Sequence, residues 1–189
     1  MSGHGFHVHG PHDHELEHAA HSNDNFSSKI AVMTAIMATV GALIGYEGGA
    51  TQNQAAMLKN SAAITKTDAA NSWNHYQAKS NKQNLAELAL SIPGVEAEKY
   101  KSDIERYKKE KENLKKEAEA FEKQVVELEA SSEAALHQHH RWAQSMTAVQ
   151  IAISLAAIAL LTKKKWLEYG SYAVATAGLG IAALAWMHI

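Results

Sequence analysis

The sequence predicts an all-α membrane protein in which a long antiparallel coiled-coil hairpin is inserted between the first and second of three transmembrane helices. Three observations lead to this prediction. Charged and apolar residues are segregated along the 189-residue chain, although its formal net charge is only -2. A ladder of alternating three- and four-residue steps runs through residues 104–142. The middle of the chain contains one strong helix-breaking pair, Pro93-Gly94.

Residues 1–27 form a His-rich tail for which we expect disorder, because it has almost no apolar periodicity. If residues 13–21 become helical, His14, His18 and His21 lie on one face, and imidazole suits zinc, copper and nickel. These three are the candidate metal ligands. A flexible His-rich tail also binds such ions weakly in almost any arrangement, so both a defined site and weak binding stay open. No other cofactor is expected.

Residues 28–47 are the first predicted transmembrane helix. Residues 30–46 carry no charge, and a membrane-crossing helix needs at least about 17 apolar residues. Gly41, Gly45 and Gly49 are spaced four residues apart. In lipid, such a row lets another helix approach closely, so we predict that these glycines are interaction residues. The alternative is a buried helix of a soluble protein.

Residues 48–143 are the predicted hairpin, with its tip at 93–94. Proline cannot continue the preceding helix, and glycine permits a tight reversal. The second arm carries the ladder, which consists of Ile104, Tyr107, Lys111, Leu114, Ala118, Phe121, Val125, Leu128, Ser132, Ala135, His139 and Trp142. Such a ladder is typical of a helix that packs on another helix. The alternative is a long helix that dimerises only with copies of itself.

Three polar residues, Lys111, Ser132 and His139, occupy ladder positions. Polar residues at such positions usually set the register and the number of partners. The sequence leaves open whether they act within the hairpin or contact the next protomer. His139 also has histidine neighbours, which suggests either a pH-responsive joint or a polar collar at the membrane surface.

Residues 144–162 and 166–188 are the second and third predicted transmembrane helices. Nothing after the ladder breaks a helix, so the ladder and the second span should form one helix of roughly 65 residues. The third span has Trp166 near one end and Trp186 near the other, as expected of aromatic belts at the membrane surfaces.

Lys163, Lys164 and Lys165 form the densest positive cluster beside any span, in a very short loop. The positive-inside rule places such a loop in the cytoplasm. Three spans then put the N-terminus in the cytoplasm and the hairpin and the C-terminus in the periplasm.

Several function classes find no support in the sequence. The spans lack a mid-membrane ionisable residue, which carriers and proton relays normally need. There is no Cys, no phosphate-binding glycine loop, no zinc-protease signature and no serine elbow, so we expect no enzymatic activity. The helical arms have no basic excess, so we expect no nucleic-acid partner.

Residues 73–82, with the sequence WNHYQAKSNK, are unusual for a coiled-coil arm. They resemble the W-x-x-Y-Q-A-K-S-x-K segment of a bacterial membrane-protein family known only as domain of unknown function 4337. The resemblance covers roughly residues 27–189, including the order of spans and charged helices. It implies a bacterial inner-membrane protein with this topology, and it implies no activity.

Trp73, Tyr76, Gln77 and Lys79 of this segment are the remaining candidate interaction residues. Trp73, Tyr76 and Gln77 share one helix face, and Lys79 is placed to meet the opposite arm near residue 108. This face is either the packing seam between the two arms or a contact between protomers.

The sequence therefore predicts a non-enzymatic inner-membrane scaffold or interaction protein. We expect it to be homo-oligomeric through its transmembrane small-residue rows and its coiled-coil hairpins. Its expected partners are other copies of itself and membrane lipid, and the sequence identifies no other protein. The alternative is a small oligomeric channel or a metal-handling membrane protein that uses the His-rich tail.

Overall fold

The computed structural model describes residues 25–188. They form three helices, α1 (Asn25–Ala89), α2 (Ala97–Thr162) and α3 (Lys165–Trp186), and no strand occurs among these residues. The predicted all-helical class is confirmed. By length and composition, α1 and α2 are each apolar enough to cross a membrane.

Both long helices run without interruption through the changes in composition that the sequence shows. The ladder and the apolar run that follows it lie in one helix, α2, as predicted. In α1 the helix also continues across Gly48 and Gly49. Neither helix contains a proline, so each retains the full series of backbone hydrogen bonds.

The connection between α1 and α2 contains the predicted breaker pair. After the end of α1, the backbone hydrogen bonds span three residues instead of four, from Ser91 N to Leu88 O and from Ile92 N to Ala89 O. Gly94 then takes a φ of +86°, in the left-handed region that glycine adopts without steric cost.

The connection between α2 and α3 is short, because only residues 163 and 164 are non-helical. Lys163 has a φ of 55°, an uncommon value for a residue with a side chain. Its amine bonds to the hydroxyl of Ser27. The Leu167 amide donates to Lys164 O at 3.1 Å and starts the first turn of α3.

The chain divides into two compact units. We call residues 52–136 the paired-helix unit; the described part of the other, which we call the apolar unit, is residues 25–51 and 137–188. Residues 48–51 and 137–143 belong to the apolar unit, where Gly48 lies against both His139 and Trp142.

In the paired-helix unit, α1 and α2 run antiparallel. Ala55 contacts Ser132 near one end, whereas Gln83 contacts Lys111 towards the other. Each ladder position from Ile104 to Ala135 is buried or half-buried. The facing side of α1 consists mainly of small residues, and its buried members are Ala55, Ala62, Thr65, Ala69, Ser72 and Ala86. Small side chains on α1 therefore pack against larger ones on α2.

In the apolar unit, α3 packs on segments of α1 and α2. The α1 contribution repeats every seven residues, at Ile30, Met37 and Ile44. The α2 contribution includes Trp142 and Val149 followed by a series of alanines. This seven-residue repetition gives each helix one continuous apolar face.

Candidate interaction surfaces

Trp73 lies in the seam between α1 and α2 of the paired-helix unit. Its indole Nε1 donates a hydrogen bond to Glu122 Oε1 at 2.8 Å. Its ring meets Tyr76 edge-on, with the ring centroids 5.5 Å apart and an interplanar angle of 78°. Lys111 from α2 places its amine 5.2 Å from the centre of the Tyr76 ring. Two of the predicted interaction residues are therefore engaged within the chain.

Lys79 forms the closest ion pair between α1 and α2, with its Nζ 2.6 Å from Glu110 Oε2. Both side chains are only about a third exposed. The Lys79 amine bonds to the carboxylate and holds the pKa of Glu110 below its ordinary value; Arg106 adds to this effect. Gln77, the fourth predicted residue of this segment, is exposed.

Two of the three polar ladder residues bond across the seam within the paired-helix unit. Ser132 is buried, and its Oγ donates to Ala55 O at 2.9 Å. The Lys111 amine donates to Gln83 Oε1 at 3.1 Å. A register shift would leave the buried Ser132 hydroxyl without this acceptor, so these bonds favour one alignment of the two helices.

The predicted glycine row divides between packed and open positions. A Cβ built on Gly41 would lie 3.3 Å from Val149 Cγ1, and one on Gly45 would lie 3.7 Å from the methyl group of Met146. On Gly49 it would meet nothing within 4 Å among the described residues. Gly48, which the four-residue spacing omitted, is as closely packed as Gly41, since a Cβ built on it would lie 3.3 Å from Trp142 Cβ.

The contact between α2 and α3 is closer still. A Cβ on Gly178 would lie 3.0 Å from Ala148 Cβ and 3.3 Å from Ser145 O. Ser145 Oγ donates to Gly178 O at 2.8 Å, and Ser171 Oγ donates to another α2 carbonyl at 2.7 Å. The detectable signal was the seven-residue spacing of small residues at 171, 178 and 185.

His139 is tied to the backbone of α1 within the apolar unit. Its Nδ1 lies 2.8 Å from Gly48 O, and since a carbonyl only accepts, Nδ1 carries the proton. The neighbouring His140 ring is 5.7 Å away. Both the neutral and the charged imidazole can make this bond, so the contact itself does not favour the hypothesis of a pH-responsive joint.

Glu168 is a buried carboxylate near the start of α3. It is 6 % exposed, and Lys29 Nζ lies 3.5 Å from its Oε1. The Tyr172 hydroxyl donates to the same oxygen at 3.4 Å. The sequence signal for this site is a charged residue at the third position of the predicted third span, residues 166–188.

An open cleft of about 590 Å³ lies beside this ion pair in the apolar unit. It is lined by Asn25, Phe26, Ser28, Lys29, Val32, Lys165, Glu168 and Tyr169. The lining contains the amines of Lys29 and Lys165 and the carboxylate of Glu168, which already pairs with Lys29. This mixture of charges indicates no particular class of ligand.

The candidate metal ligands His14, His18 and His21 lie outside the described residues. Within residues 25–188, no group of three or more His, Asp or Glu side chains is placed to hold a metal ion. The surfaces that the structure does define are therefore helix-packing surfaces.

The family model described as "Domain of unknown function (DUF4337)" matches residues 26–188. No curated protein matches the chain, and no solved structure matches it either.

Proposed function

Because the chain belongs to the family described as "Domain of unknown function (DUF4337)", whose description assigns no activity, we propose a function from the packing surfaces alone. The protein is a non-enzymatic scaffold or interaction protein of the bacterial inner membrane. Three spans, at residues 28–47, 144–162 and 166–188, anchor an antiparallel coiled-coil hairpin. Copies of the chain associate through the transmembrane helices and through the hairpins, which form a collar or a presenting surface.

One observation carries this proposal: α1 and α2 each join a segment apolar enough for a bilayer to a more polar segment, and the polar segments pack on each other through the ladder of α2. In lipid, close contacts between small residues and hydrogen bonds between helices hold spans together. Gly178 against Ala148, and Ser145 with Gly178 O, have this character. In water, a ladder on one helix packed against small residues on another supports a coiled-coil pairing of α1 and α2.

The three-span layout requires that the connection at residues 90–96 and the lysine cluster lie on opposite sides of the membrane, since a single span separates them. The chain has no Cys, so single thiols can be introduced without background. We expect Ser91→Cys in intact cells to react with a maleimide that cannot cross the inner membrane, and Lys164→Cys to react only after the cells are opened. Equal reactivity of the two variants would contradict the layout.

Native mass spectrometry of the detergent-purified chain tests the homo-oligomer. We expect a mass that is a whole multiple of the single chain and independent of dilution over a tenfold range. A single-chain mass at every concentration rules out the proposed self-association.

A further inference from the structure

The paired-helix unit carries a second ladder, on the side of α1 that faces away from α2. It starts at Met57 and proceeds to Leu88 in alternating steps of three and four residues, and Ile92 follows just after the helix; we call these residues the outer ladder. Each of its positions is exposed. Its large apolar members are Met57, Ile64, Leu85, Leu88 and Ile92, which are 55–65 % exposed.

The outer ladder has no charged member, and the six charged residues of its segment all lie at other positions: Lys59, Lys66, Asp68, Lys79, Lys82 and Glu87. A helix face that only meets water has no reason to exclude charge at a fixed period. A repeat that averages 3.5 residues keeps one face against another helix over many turns. Because α2 already covers the opposite side of α1, the outer ladder fits a helix from outside this chain.

The polar members of the outer ladder and its flanks fit a second copy in parallel orientation. Four asparagines occupy ladder positions, at 60, 71, 74 and 81. In a parallel pair each ladder residue meets its own counterpart, and an asparagine amide can both donate to and accept from an identical amide.

The flanking charges also permit this pairing. On one flank, residues 63, 70, 77 and 84 are all uncharged. In a parallel pair, each residue of this flank faces the residue that is five positions later in the sequence of the other helix. Asp68 therefore meets Ala63 of the second copy, and Lys82 meets Gln77 of the second copy. No like charges are brought together, as they would be if both flanks carried the same sign.

We infer that the outer ladder is the surface on which a second copy of this chain binds, with the two α1 helices side by side and parallel. This inference rests on the proposed self-association, and it names the face responsible. The parallel direction also agrees with the proposed topology, because chains inserted in one orientation present their α1 helices in the same direction. Trp73, Tyr76 and Lys79 are then contacts within the chain, and the outer ladder provides those between chains.

Disulfide trapping tests both the face and the direction. In a parallel pair, Asn60→Cys and Asn81→Cys each bring two identical thiols within the Cα separation of about 7 Å that a disulfide allows. We expect both variants to form covalent dimers in membranes under mild oxidation. Val126→Cys is the matched control, since Val126 is 66 % exposed on α2 and lies outside the ladder; it should stay monomeric on a denaturing gel. Crosslinking of only one of the two Asn variants would overturn the parallel arrangement.

A charge introduced on the outer ladder should separate the copies. We expect the double variant Ile64→Lys, Leu85→Lys to lose subunits in native mass spectrometry while its helical circular dichroism is retained, because both side chains are exposed in the single chain. Val126→Lys should keep the parent mass. If the parent is oligomeric and the double variant keeps its mass without any crosslinking at 60 or 81, the outer ladder is refuted and the proposed function stands. A monomeric parent refutes both.

Discussion

Replacing Gly178 with alanine should destabilise the apolar unit, because this position is where α3 comes closest to α2. The added Cβ would lie 3.0 Å from Ala148 Cβ, 3.3 Å from Val149 Cγ2 and 3.3 Å from Ser145 O. The carbonyl oxygen belongs to the helix backbone and cannot rotate away. Relief therefore requires α3 to shift from α2, and the shift lengthens the bond from Ser145 Oγ to Gly178 O, which is 2.8 Å long.

Two opposing contributions set the size of the effect of this substitution. Overpacking in a closely packed interior typically costs about 1–3 kcal/mol, and a weakened buried hydrogen bond adds about 1 kcal/mol. In water the gain in helix propensity from glycine to alanine returns about 1 kcal/mol. The net loss is then about 1–3 kcal/mol, which corresponds to a fall in Tm on the order of 5 °C for a protein of this length.

Gly180→Ala provides the matched control in the same helix. A Cβ at Gly180 meets nothing within 4 Å among the described residues, so this variant receives the gain in propensity without the clash. Thermal unfolding of both variants, followed by circular dichroism in detergent, should show a lower Tm for Gly178→Ala and an equal or higher Tm for Gly180→Ala. Equal Tm values for the two variants would show that the close approach of α3 to α2 does not limit stability.

Three further predictions concern the paired-helix unit. In the folded protein the Glu110 carboxyl has a lowered pKa, so its pair with Lys79 stabilises the fold above the ordinary glutamate pKa of about 4.3, and this stabilisation is lost as the pH falls through the lowered value. Glu110→Gln should therefore lower the Tm at pH 7 and leave it unchanged in strong acid. Equal losses of Tm at both pH values would contradict the ion pair. Trp73→Phe removes the bond to Glu122 and should cost about 0.5–1.5 kcal/mol in urea unfolding without changing the oligomer mass in native mass spectrometry, whereas a lower mass would place Trp73 between protomers. Gly94→Ala forces a side chain into the left-handed region and should cost about 1–2 kcal/mol in the same urea assay, and an unaltered midpoint would contradict the reversal at this residue.

The sequence predicted α2 well because its ladder alternates large apolar residues with Lys and Glu. Residues such as Leu114 and Phe121 stand out at the correct period, and the structure buries or half-buries them. The single helix that joins this ladder to the apolar run was also predictable, since no proline or glycine intervenes. Strong periodicity over many turns leaves few alternative structures for such a segment.

The small residues on the matching side of α1 were not predicted, because they are Ala, Thr and Ser. These side chains are common on exposed helix surfaces, so residues such as Ala62 and Ala69 give no hydrophobic signal. Their role follows only when a second helix is present, because a small side chain contributes by allowing close approach. For the same reason, Gly48 was missed in favour of a regular glycine row in which Gly49 packs against no described residue.

The composition of α1 follows from the demands of two opposite faces. Towards α2 it presents small residues such as Ala62 and Ala69, and the larger partners come from α2. Several of its large apolar side chains in the paired-helix unit, including Ile64 and Leu85, are exposed on the other side. A helix with one partner needs one ladder, and a second ladder of exposed Ile and Leu in water is a liability unless it is covered. This asymmetry is explained if α1 pairs with α2 by close approach and with another copy by larger side chains, since each face then has one partner and a different means of packing.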